Sequence, residues 1–393
     1  MSSKNCLENT NVQSNMTQTI KNHYQQCERC LMDTSAIDII FDNQGICNYC
    51  TDFISKKNNV KKNSFTTKKL QELISKVKFS GKGKPYDCIV GISGGLDSSW
   101  TLVEAKRLGL RPLAVHMDNG WNSELAQNNI ANLVRSLDVD LYTYVIDWEE
   151  YRELMQSFFN ADVIDIELLY DNAMLAVNFQ QANKYHLKYI LTGANFATEG
   201  MAIPKGWNWL KYDKKNITAL ALRSGIKKIR SFPAIGTIQL IYYYFIKNIR
   251  LIPFPDYISY NKFLALDNLE KNYGYKRYLF KHYESVFTRF YQAFILPKKF
   301  NVDKRRLHLS SLIISEQISR EEALKELSGI AYKSEKEMQN DINYFLKKMK
   351  WTESQLNDYI NRPSIPHSAY PNEKSLWDFC RNTLKYLEKN KSL

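Results

Sequence analysis

Four cysteines near the start of the chain have the spacing of metal ligands. Cys27 and Cys30 form one CxxC pair, and Cys47 and Cys50 form a second pair after 16 intervening residues. Each CxxC turn can direct two thiolates to one point, and two such turns complete the tetrahedral sulfur shell that suits zinc. The pattern predicts a structural zinc, because protein ligands fill every position, with an iron–sulfur cluster or a redox pair as the alternatives.

A glycine and serine loop is the second candidate for chemistry. It reads SGGLDSS over residues 93–99 and contains Ser93, Gly94, Gly95, Asp97, Ser98 and Ser99. The glycines let the backbone approach an anion, the hydroxyls can donate, and the following helix presents free N–H groups. The loop therefore predicts a phosphate cradle, with a capped strand-to-helix turn as the alternative. A carboxylate beside phosphates indicates a cation between them, so we expect Asp97 to bind Mg²⁺.

Alternating apolar runs and helical segments predict the sheet that would position this loop. Strands are expected at residues 86–92, 111–117, 141–146 and 188–192, with helices at 98–108, 124–137, 151–159 and 171–184. This order is typical of a doubly wound parallel α/β domain. Ligands of such domains bind at the carboxyl ends of the strands. The loops after Ile92, Met117, Ile146 and Thr192 are therefore where chemistry is expected.

The sequence GISGGLDSS resembles the SGGxDS loop of the ATP pyrophosphatase (PP-loop) superfamily. The resemblance implies an adenine nucleotide alpha hydrolase-like fold and an enzyme that forms AMP and pyrophosphate by adenylating a carbonyl oxygen. It also implies that the strand ending in His116 and Asp118 holds the adenine side of ATP. Gly193 would belong to a second nucleotide loop, and Glu199 would join Asp97 as a Mg²⁺ ligand.

A closer resemblance is to the N-acetyl sugar amidotransferases of bacterial surface-polysaccharide biosynthesis, including lipopolysaccharide and O-antigen. It rests on the paired CxxC, on SGGLDSS with HMDNGW after the next strand, and on the segment KHYES that continues to Ile313. It spans residues 27–327 and departs from the family's Trp- and Gly-rich pattern at YGYKRYLF, residues 273–280. It implies conversion of an acetamido group to an acetamidino group on an activated sugar.

The same resemblance implies that ammonia comes from a separate glutaminase, as in the glutaminase and synthase pair of histidine biosynthesis. No glutaminase nucleophile is visible, because residue 2 is Ser and Cys6, Cys88 and Cys380 lie in no glycine-flanked elbow. The main alternative function is a PP-loop tRNA-modifying enzyme of the thiolase type. Persulfide chemistry needs a free cysteine near the nucleotide, whereas Cys88 is predicted inside a strand.

A basic, aromatic stretch at residues 271–306 supplies the remaining candidates. It can bind a diphosphate-linked sugar or a nucleic acid, or it can be plain helix surface. We expect Lys281, His282 and Glu284 to act at the reacting amide or at phosphate. The candidate substrate contacts are Arg289, Lys298, Lys299, Lys304 and Arg305.

Composition limits the class of protein. The 393 residues are 44% hydrophobic and 24% charged, which is typical of a folded protein, and the net charge of +13 favours polyanionic partners. The N-terminus lacks the apolar core of a signal peptide, so a cytoplasmic location is expected. The apolar run 234–246 is too short to span a bilayer and is predicted to be a buried helix. A membrane-surface helix is the alternative, because three tyrosines and the cations Lys247 and Arg250 accompany it.

The predicted organisation has six parts. They are a disordered tail (1–24), a zinc knuckle (25–52), a basic linker with one helix at 67–77 (53–84), the ATP pyrophosphatase domain (85–230), a helical substrate-binding region (231–333) and a helical C-terminal segment (334–393). The expected substrate is a nucleotide-linked or otherwise activated N-acetyl sugar, and nucleic acid is not expected as a partner.

Overall fold

The computed structural model describes residues 24–63, 67–281 and 283–391. The predicted N-terminal tail lies outside these residues except for Tyr24, and so does the catalytic candidate His282. The predicted domain boundaries stay predictions.

A five-stranded parallel sheet forms the centre of the described chain. Its strands are β1 (Cys88–Gly91), β2 (Pro112–Asp118), β3 (Leu141–Val145), β4 (Tyr189–Thr192) and β5 (Arg250–Pro253). Their order is β3-β2-β1-β4-β5, and every pair is parallel. The chain reverses its direction of travel across the sheet between β1 and β4, which makes the carboxyl ends of these two strands the switch point where ligands bind.

The predicted doubly wound parallel sheet is confirmed, and the four predicted strands lie within two residues of their observed bounds. The sequence analysis missed β5. This strand is a four-residue edge strand with exposed ends and a terminal proline, so it carries too little apolar alternation to be recognised.

Helices cover both faces of the sheet and build the C-terminal half of the chain. Before β5 they are α1 (Asn48–Asn63), α2 (Thr67–Ser80), α3 (Leu96–Arg107), α4 (Glu124–Leu137), α5 (Trp148–Asn160), α6 (Leu168–Lys184), α7 (Phe196–Glu199), α8 (Lys214–Arg223) and α9 (Thr237–Ile241). After β5 they are α10 (Lys262–Tyr273), α11 (Val286–Phe290), α12 (Leu296–Phe300), α13 (Lys304–Ile314), α14 (Arg320–Leu327), α15 (Glu335–Met349), α16 (Glu353–Asn361) and α17 (Lys374–Lys391). The predicted linker thus contains two helices, α1 and α2, instead of one.

The alternation of side chains along the strands divides the core into two layers. Val90 of β1 and Ala114 of β2 face α2, α3, α4 and α10 on one side. Ile89 and Val115 face α5, α6 and the aromatic side chains of the C-terminal helices on the other side. Gly91 sits directly against Asn178 of α6, where an added Cβ would come within 2.9 Å of the amide nitrogen. This close packing brings α6 onto the sheet with its N-terminus at the carboxyl edge.

The prediction of a buried helix at residues 234–246 was wrong. The run forms α9 and then a π-helical turn, Tyr242–Ile246, and it exposes Ile238, Phe245 and Ile246. Only one side of this short helix packs inward, where Tyr243 stacks on Phe179 at 5.1 Å between ring centroids. Among the described residues, no helix is long and apolar enough to cross a membrane.

Phe345 of α15 joins the C-terminal helices to the core. Its buried ring contacts Phe290 at 4.6 Å, Trp351 at 5.5 Å and Phe159 at 5.6 Å between centroids. Because these partners come from α5, α11 and the segment after α15, one side chain links three parts of the sequence.

Replacing this ring tests whether α15 belongs to the core. Phe345→Ala is expected to lower the free energy of unfolding by about 3–5 kcal/mol, the usual cost of an aromatic cavity. The measurement is denaturant unfolding followed by circular dichroism. The matched control is Phe79→Ala, whose ring is exposed, and its effect should stay within about 0.5 kcal/mol. If both substitutions lowered the free energy of unfolding equally, α15 would not belong to the core.

Candidate functional site

The four cysteines converge as their spacing predicts. Their Sγ atoms lie within 4.8 Å of one another, and all four residues are fully buried. Cys27 and Cys50 are 3.7 Å apart between Sγ atoms, as are Cys30 and Cys47. A tetrahedral zinc with Zn–S bonds of 2.3 Å places its sulfurs about 3.8 Å apart, so the thiols fit one ion. A multi-iron cluster would hold the sulfurs further apart by the width of its core.

Electrostatics also favours a metal at this cluster. Mutual hydrogen bonding among the four thiols moves their pKa values in opposite directions: Cys30 lowers the pKa of Cys27, while Cys27 raises the pKa of both Cys30 and Cys50. Four thiolates cannot share this buried volume without a compensating cation. A bound divalent ion supplies that charge.

The knuckle, defined as residues 25–52, packs against α13 and α7. Leu31 N–H donates to Ser310 Oγ at 3.0 Å, and Arg306 pairs with Asp33 at 3.0 Å. At the start of α1, Phe53 lies 4.4 Å from Phe196 between ring centroids. The knuckle with its cysteine cluster therefore supports the loop that follows β4, and a metal held by all four thiols would have no open coordination position for catalysis.

The loop after β1 folds as a compact turn at the sheet's carboxyl edge. Gly94 has φ +83°, and a Cβ there would come within 2.8 Å of the Ala126 carbonyl, so the turn needs glycine. Ser98 Oγ accepts from Ser93 N–H and donates to Gly95 O, both at 3.2 Å. The first N–H groups of α3 lack acceptors within the helix by its geometry, so they are available to an anion. Ser99 was expected to offer its hydroxyl group to phosphate, but its side chain is buried.

The loop after β4 reaches this turn by a very close backbone approach. A Cβ on Gly193 would lie 2.6 Å from Ser98 N and 2.7 Å from Asp97 C. Asn195 then caps α7 by accepting from Thr198 N–H at 2.8 Å. The structure thus brings the two predicted nucleotide loops together at the switch point.

Asp97, Glu199 and Lys281 form the charged centre of the site. Lys281 Nζ lies 2.6 Å from Glu199 Oε1 and 3.9 Å from Asp97 Oδ2, and the Tyr260 hydroxyl donates to Asp97 Oδ1. Burial raises the pKa of Asp97, with Lys281 opposing and Glu199 adding to the shift. Burial alone would lower the pKa of Lys281, but the two carboxylates outweigh it and raise that pKa.

These carboxylates fit a hard divalent cation. Asp97 and Glu199 supply the oxygen ligands that Mg²⁺ prefers, and they already share one ammonium group between them. Among the described residues, Thr198 Oγ1 and the Tyr275 hydroxyl, two buried polar atoms near this centre, have no hydrogen-bond partner. Unpaired buried donors beside a charge cluster are typical of a site shaped for a ligand.

The segment after Lys281 closes over the loop of β1. Ser285 forms an isolated antiparallel bridge with Asn122, flanked by hydrogen bonds from Ser123 N–H to Glu284 O and from Val286 N–H to Trp121 O, both 2.9 Å. The Glu284 carboxylate then lies against the loop, 3.1 Å from where a Cβ on Gly95 would be. The residues that directly follow HMDNGW, Asn122 and Ser123, therefore pair with the end of KHYES.

His116 and Asp118 hold the end of β2 in place. His116 Nδ1 is 2.9 Å from Ile92 O and its Nε2 is 3.0 Å from Asn122 Nδ2, so the partners assign the proton to Nδ1. Burial lowers the pKa of His116, which keeps the ring neutral. Asp118 accepts from Gly120 N–H at 2.8 Å. His116 thus braces the start of the loop after β1, and the predicted place of this strand end beside the adenine stays a prediction.

Most of the predicted substrate cations are used inside the protein. Arg289 pairs with Asp341 at 2.5 Å, Lys299 with Asp162 at 3.0 Å, and Arg305 with Asp303 at 2.8 Å. The structure places these three cations in ion pairs within the protein, which differs from the predicted contact with substrate. Such pairs are costly to break, because a buried charge needs its partner. The ammonium of Lys298 lies over the Phe294 ring at 4.2 Å.

Lys304 belongs to a cluster that the sequence did not reveal. It pairs with Glu167 at 2.6 Å just before α6, and Lys211 pairs with Asp165 and Asp171 at 2.8 Å. Burial and then the nearby Glu284 carboxylate raise the pKa of Tyr170, a residue of α6. These residues share no spacing that a motif search could detect.

Tyr260 and Tyr278 were also missed. Tyr260 donates to Asp97, and the Tyr278 hydroxyl donates to Gly94 O at 3.0 Å. Tyr278 lies in YGYKRYLF, where the chain departs from the family pattern, and that departure was the available signal.

The chain is an α/β protein with a candidate ligand site at the carboxyl edge of a parallel sheet. Its strand order, the two loops at the switch point and the segment after Lys281 define this class. Residues 284–384 match the family model WbpG_C, described as "LPS biosynthesis protein WbpG-like, C-terminal domain". This match covers about a quarter of the chain and confirms, for that part, the resemblance to proteins of surface-polysaccharide biosynthesis. A search of the curated proteins finds no match.

Solved structures similar to this chain include three with low identity. NMN synthetase from Francisella tularensis is 17% identical over 56% of this chain and 100% of that chain, with a TM-score of 0.29. NH3-dependent NAD synthetase from Campylobacter jejuni is 14% identical over 54% and 97%, with a TM-score of 0.27. A predicted subunit of tRNA methyltransferase from Methanocaldococcus jannaschii is 15% identical over 47% and 75%, with a TM-score of 0.26. These similarities say nothing about the substrate of this chain.

Metal removal tests the cysteine cluster. The protein is expected to carry one zinc per chain, and Cys50→Ser is expected to lose it and to melt at a lower temperature, because the buried thiols lose their shared cation. Elemental analysis and thermal unfolding measure both effects, and Cys380→Ser, a cysteine outside the cluster, is the control. Stoichiometric iron with visible absorption would contradict a zinc site.

The close approach of the two loops gives a second test. Gly193→Ala puts a methyl group into the backbone of Ser98 and must move one loop, so ATP affinity is expected to fall about tenfold or more. Calorimetric titration with ATP and Mg²⁺ measures it. Gly329→Ala is the matched control, because that position has open space. Wild-type affinity of Gly193→Ala would mean that the nucleotide binds elsewhere.

Proposed function

We propose that this protein is an ATP-dependent amidotransferase that converts the acetamido group of an activated N-acetyl sugar into an acetamidino group during surface-polysaccharide synthesis. One contact carries the proposal. Glu284, the first residue of the segment that matches the lipopolysaccharide-biosynthesis family, lies against Gly95 of the glycine and serine loop. A loop suited to phosphate and a domain of polysaccharide biosynthesis therefore share one site.

The proposed reaction needs ATP because an amide carbon is a poor electrophile. The amide oxygen attacks the α-phosphorus of ATP, the bond to the bridging oxygen breaks, and pyrophosphate leaves. Ammonia then adds to the carbon of the adenylated amide. The resulting adduct loses a proton and expels AMP, which leaves the amidine.

The chain's own groups have matching roles in this proposal. The first N–H groups of α3, together with Lys281, stabilise the charge that develops on the departing pyrophosphate. Lys281 is held between Asp97 and Glu199, so it is already oriented at the loop. Asp97 and Glu199 would hold Mg²⁺, which when bound neutralises phosphate charge. Glu284 positions the amide opposite the loop.

The cluster around α6 is the proposed sugar pocket. In this proposal the substrate exchanges for existing ion pairs. Its hydroxyl groups replace a lysine at Glu167 or Asp171, and its carboxylate or phosphate replaces an acid at Lys211 or Lys304. Glu284 lies close enough to α6 for its charge to raise the pKa of Tyr170, after the larger effect of burial. Nitrogen reaches the site as ammonia from a partner glutaminase. Free ammonia in solution would be mostly protonated to ammonium at neutral pH, and ammonium is not a nucleophile.

The deciding experiment offers the purified protein ATP, Mg²⁺ and high ammonium salt with either a panel of N-acetylated nucleotide sugars or bulk tRNA. AMP and pyrophosphate formation tied to one sugar, with a product mass that reflects replacement of oxygen by NH, is the expected result. AMP formation tied only to tRNA would move the assignment to RNA modification. Glutamine should support turnover only when a glutaminase is added. If the chain alone turned over equally fast with glutamine, the proposed partner would be excluded.

Asp97→Asn separates chemistry from folding. Sugar-dependent AMP formation is expected to fall on the order of 10²–10³-fold, the cost of losing one charge stabiliser. Because the folded protein raises the pKa of Asp97, its ionised form costs stability as pH rises, so at pH 7 the variant should melt no lower than wild type. Asp267→Asn, an exposed carboxylate on α10, is the control and should change neither quantity. Retained activity of Asp97→Asn would exclude its role.

A further inference from the structure

The edge of the sheet opposite the candidate site exposes large apolar side chains. Phe79 ends α2 with 82% of its surface exposed, and Phe245 and Ile246 in the π-helical turn are 50% and 71% exposed. Both places lie at the amino ends of strands, because α2 leads into β1 and the π-helical turn leads into β5. Single exposed apolar residues are ordinary, but several at one edge mark an interaction surface.

Lysine side chains connect the two places. Lys84 Nζ donates to Ser80 O at 2.6 Å and to His186 O at 2.7 Å, which ties the end of α2 to the turn before β4. Lys188 Nζ donates to Lys247 O at 2.6 Å, which ties that turn to the residue following Ile246. These bonds join the two places along the amino-terminal edge of the sheet, and the edge from Phe79 to Ile246 is called the basic edge below.

The basic edge is positively charged. Its cations are Lys78, Lys82, Lys84, Lys188, Lys247 and Arg250. Two acids lie near it, and both are engaged: Asp87 pairs with Arg111 at 2.6 Å, and Asp140 accepts from the Tyr86 hydroxyl at 2.7 Å. Burial and the neighbouring Lys188 lower the pKa of Lys84, as expected where cations crowd together.

We propose that the basic edge binds the surface of an anionic lipid bilayer. Phe79, Phe245 and Ile246 project apolar groups that fit the boundary of the acyl chains, and the surrounding cations fit anionic headgroups. Two tyrosines lie beneath these cations: Lys247 is over the Tyr242 ring at 5.5 Å, and Arg250 is over the Tyr244 ring at 5.6 Å. Aromatic rings with a polar tip are suited to this depth.

The geometry favours a bilayer over a nucleic acid. The protruding groups include the aliphatic Ile246, which fits acyl chains and adds nothing to the phosphate contacts that dominate nucleic-acid binding. Binding through the amino ends of the strands would also leave the carboxyl edge, with Asp97 and Lys281, open to solutes. The proposal does not depend on the reaction catalysed there.

Vesicle co-sedimentation tests the proposal on the full chain. The protein is mixed with phosphatidylcholine vesicles, with or without about one third phosphatidylglycerol. Binding is expected only to the anionic vesicles and should be lost at about 1 M NaCl, where charges are screened beyond ~3 Å. Absence of binding to anionic vesicles, or equal binding to both, would overturn the proposal.

Two variants assign the binding to this surface. Phe245→Ser with Ile246→Ser, and separately Lys82→Gln with Arg250→Gln, are each expected to weaken vesicle binding about tenfold or more. The control pairs Leu264→Ser with Lys336→Gln, exposed positions outside the basic edge. Thermal unfolding verifies that every variant folds. Unchanged vesicle binding by both test variants would refute the assignment to this surface.

Discussion

The pairing of Asn122 with Ser285 is the constraint on which the candidate site depends. Without it, the loop after β2 and the segment containing Lys281 and Glu284 would have no fixed relation, although both are needed beside the glycine and serine loop. Its two flanking backbone hydrogen bonds are each worth only about 1 kcal/mol net. The bridge therefore needs support from the packing around it.

Trp121 provides that support. Its fully buried ring contacts Phe287 at 5.4 Å and Trp148 at 5.5 Å between centroids, and Lys348 lies over it at 4.8 Å. The residues on either side of the bridge thus anchor one core, since Trp121 precedes Asn122 and Phe287 follows Ser285. The apolar layer therefore holds the polar site in position, because burial of aromatic surface contributes far more to folding free energy than the bridge does.

Features encoded by local spacing could be predicted from the sequence. The cysteine cluster, the loop at residues 93–99 and four strands depend on residues close in the chain, and the structure places each where spacing and periodicity indicate. The roles of the cations could not be predicted in this way. Arg289 and Lys299 find their acids 52 and 137 residues away, and no local pattern tells a substrate cation from one that is consumed by such a pair.

Burial of the apolar run at 234–246 was misjudged for the same reason. Hydrophobicity indicates that a segment can be buried, but only the neighbouring elements decide which of its sides is covered. Here Phe179 covers the side of Tyr243 and leaves Ile238 and Ile246 outside. The charged cluster beside α6 was hidden as well, because Asp165, Lys211 and Lys304 come from three separate parts of the chain.

The docking of the knuckle implies an order of events during synthesis. Cys27 to Cys50 form a short local loop, so this segment can acquire metal soon after it leaves the ribosome. Its resting place is made much later, because Leu31 bonds to Ser310, a partner 279 residues further along. The surface on which the knuckle rests therefore forms only after residue 310 has been synthesised. A contact of such long range slows the final assembly, and until then the loop after β4 lacks the support of the knuckle.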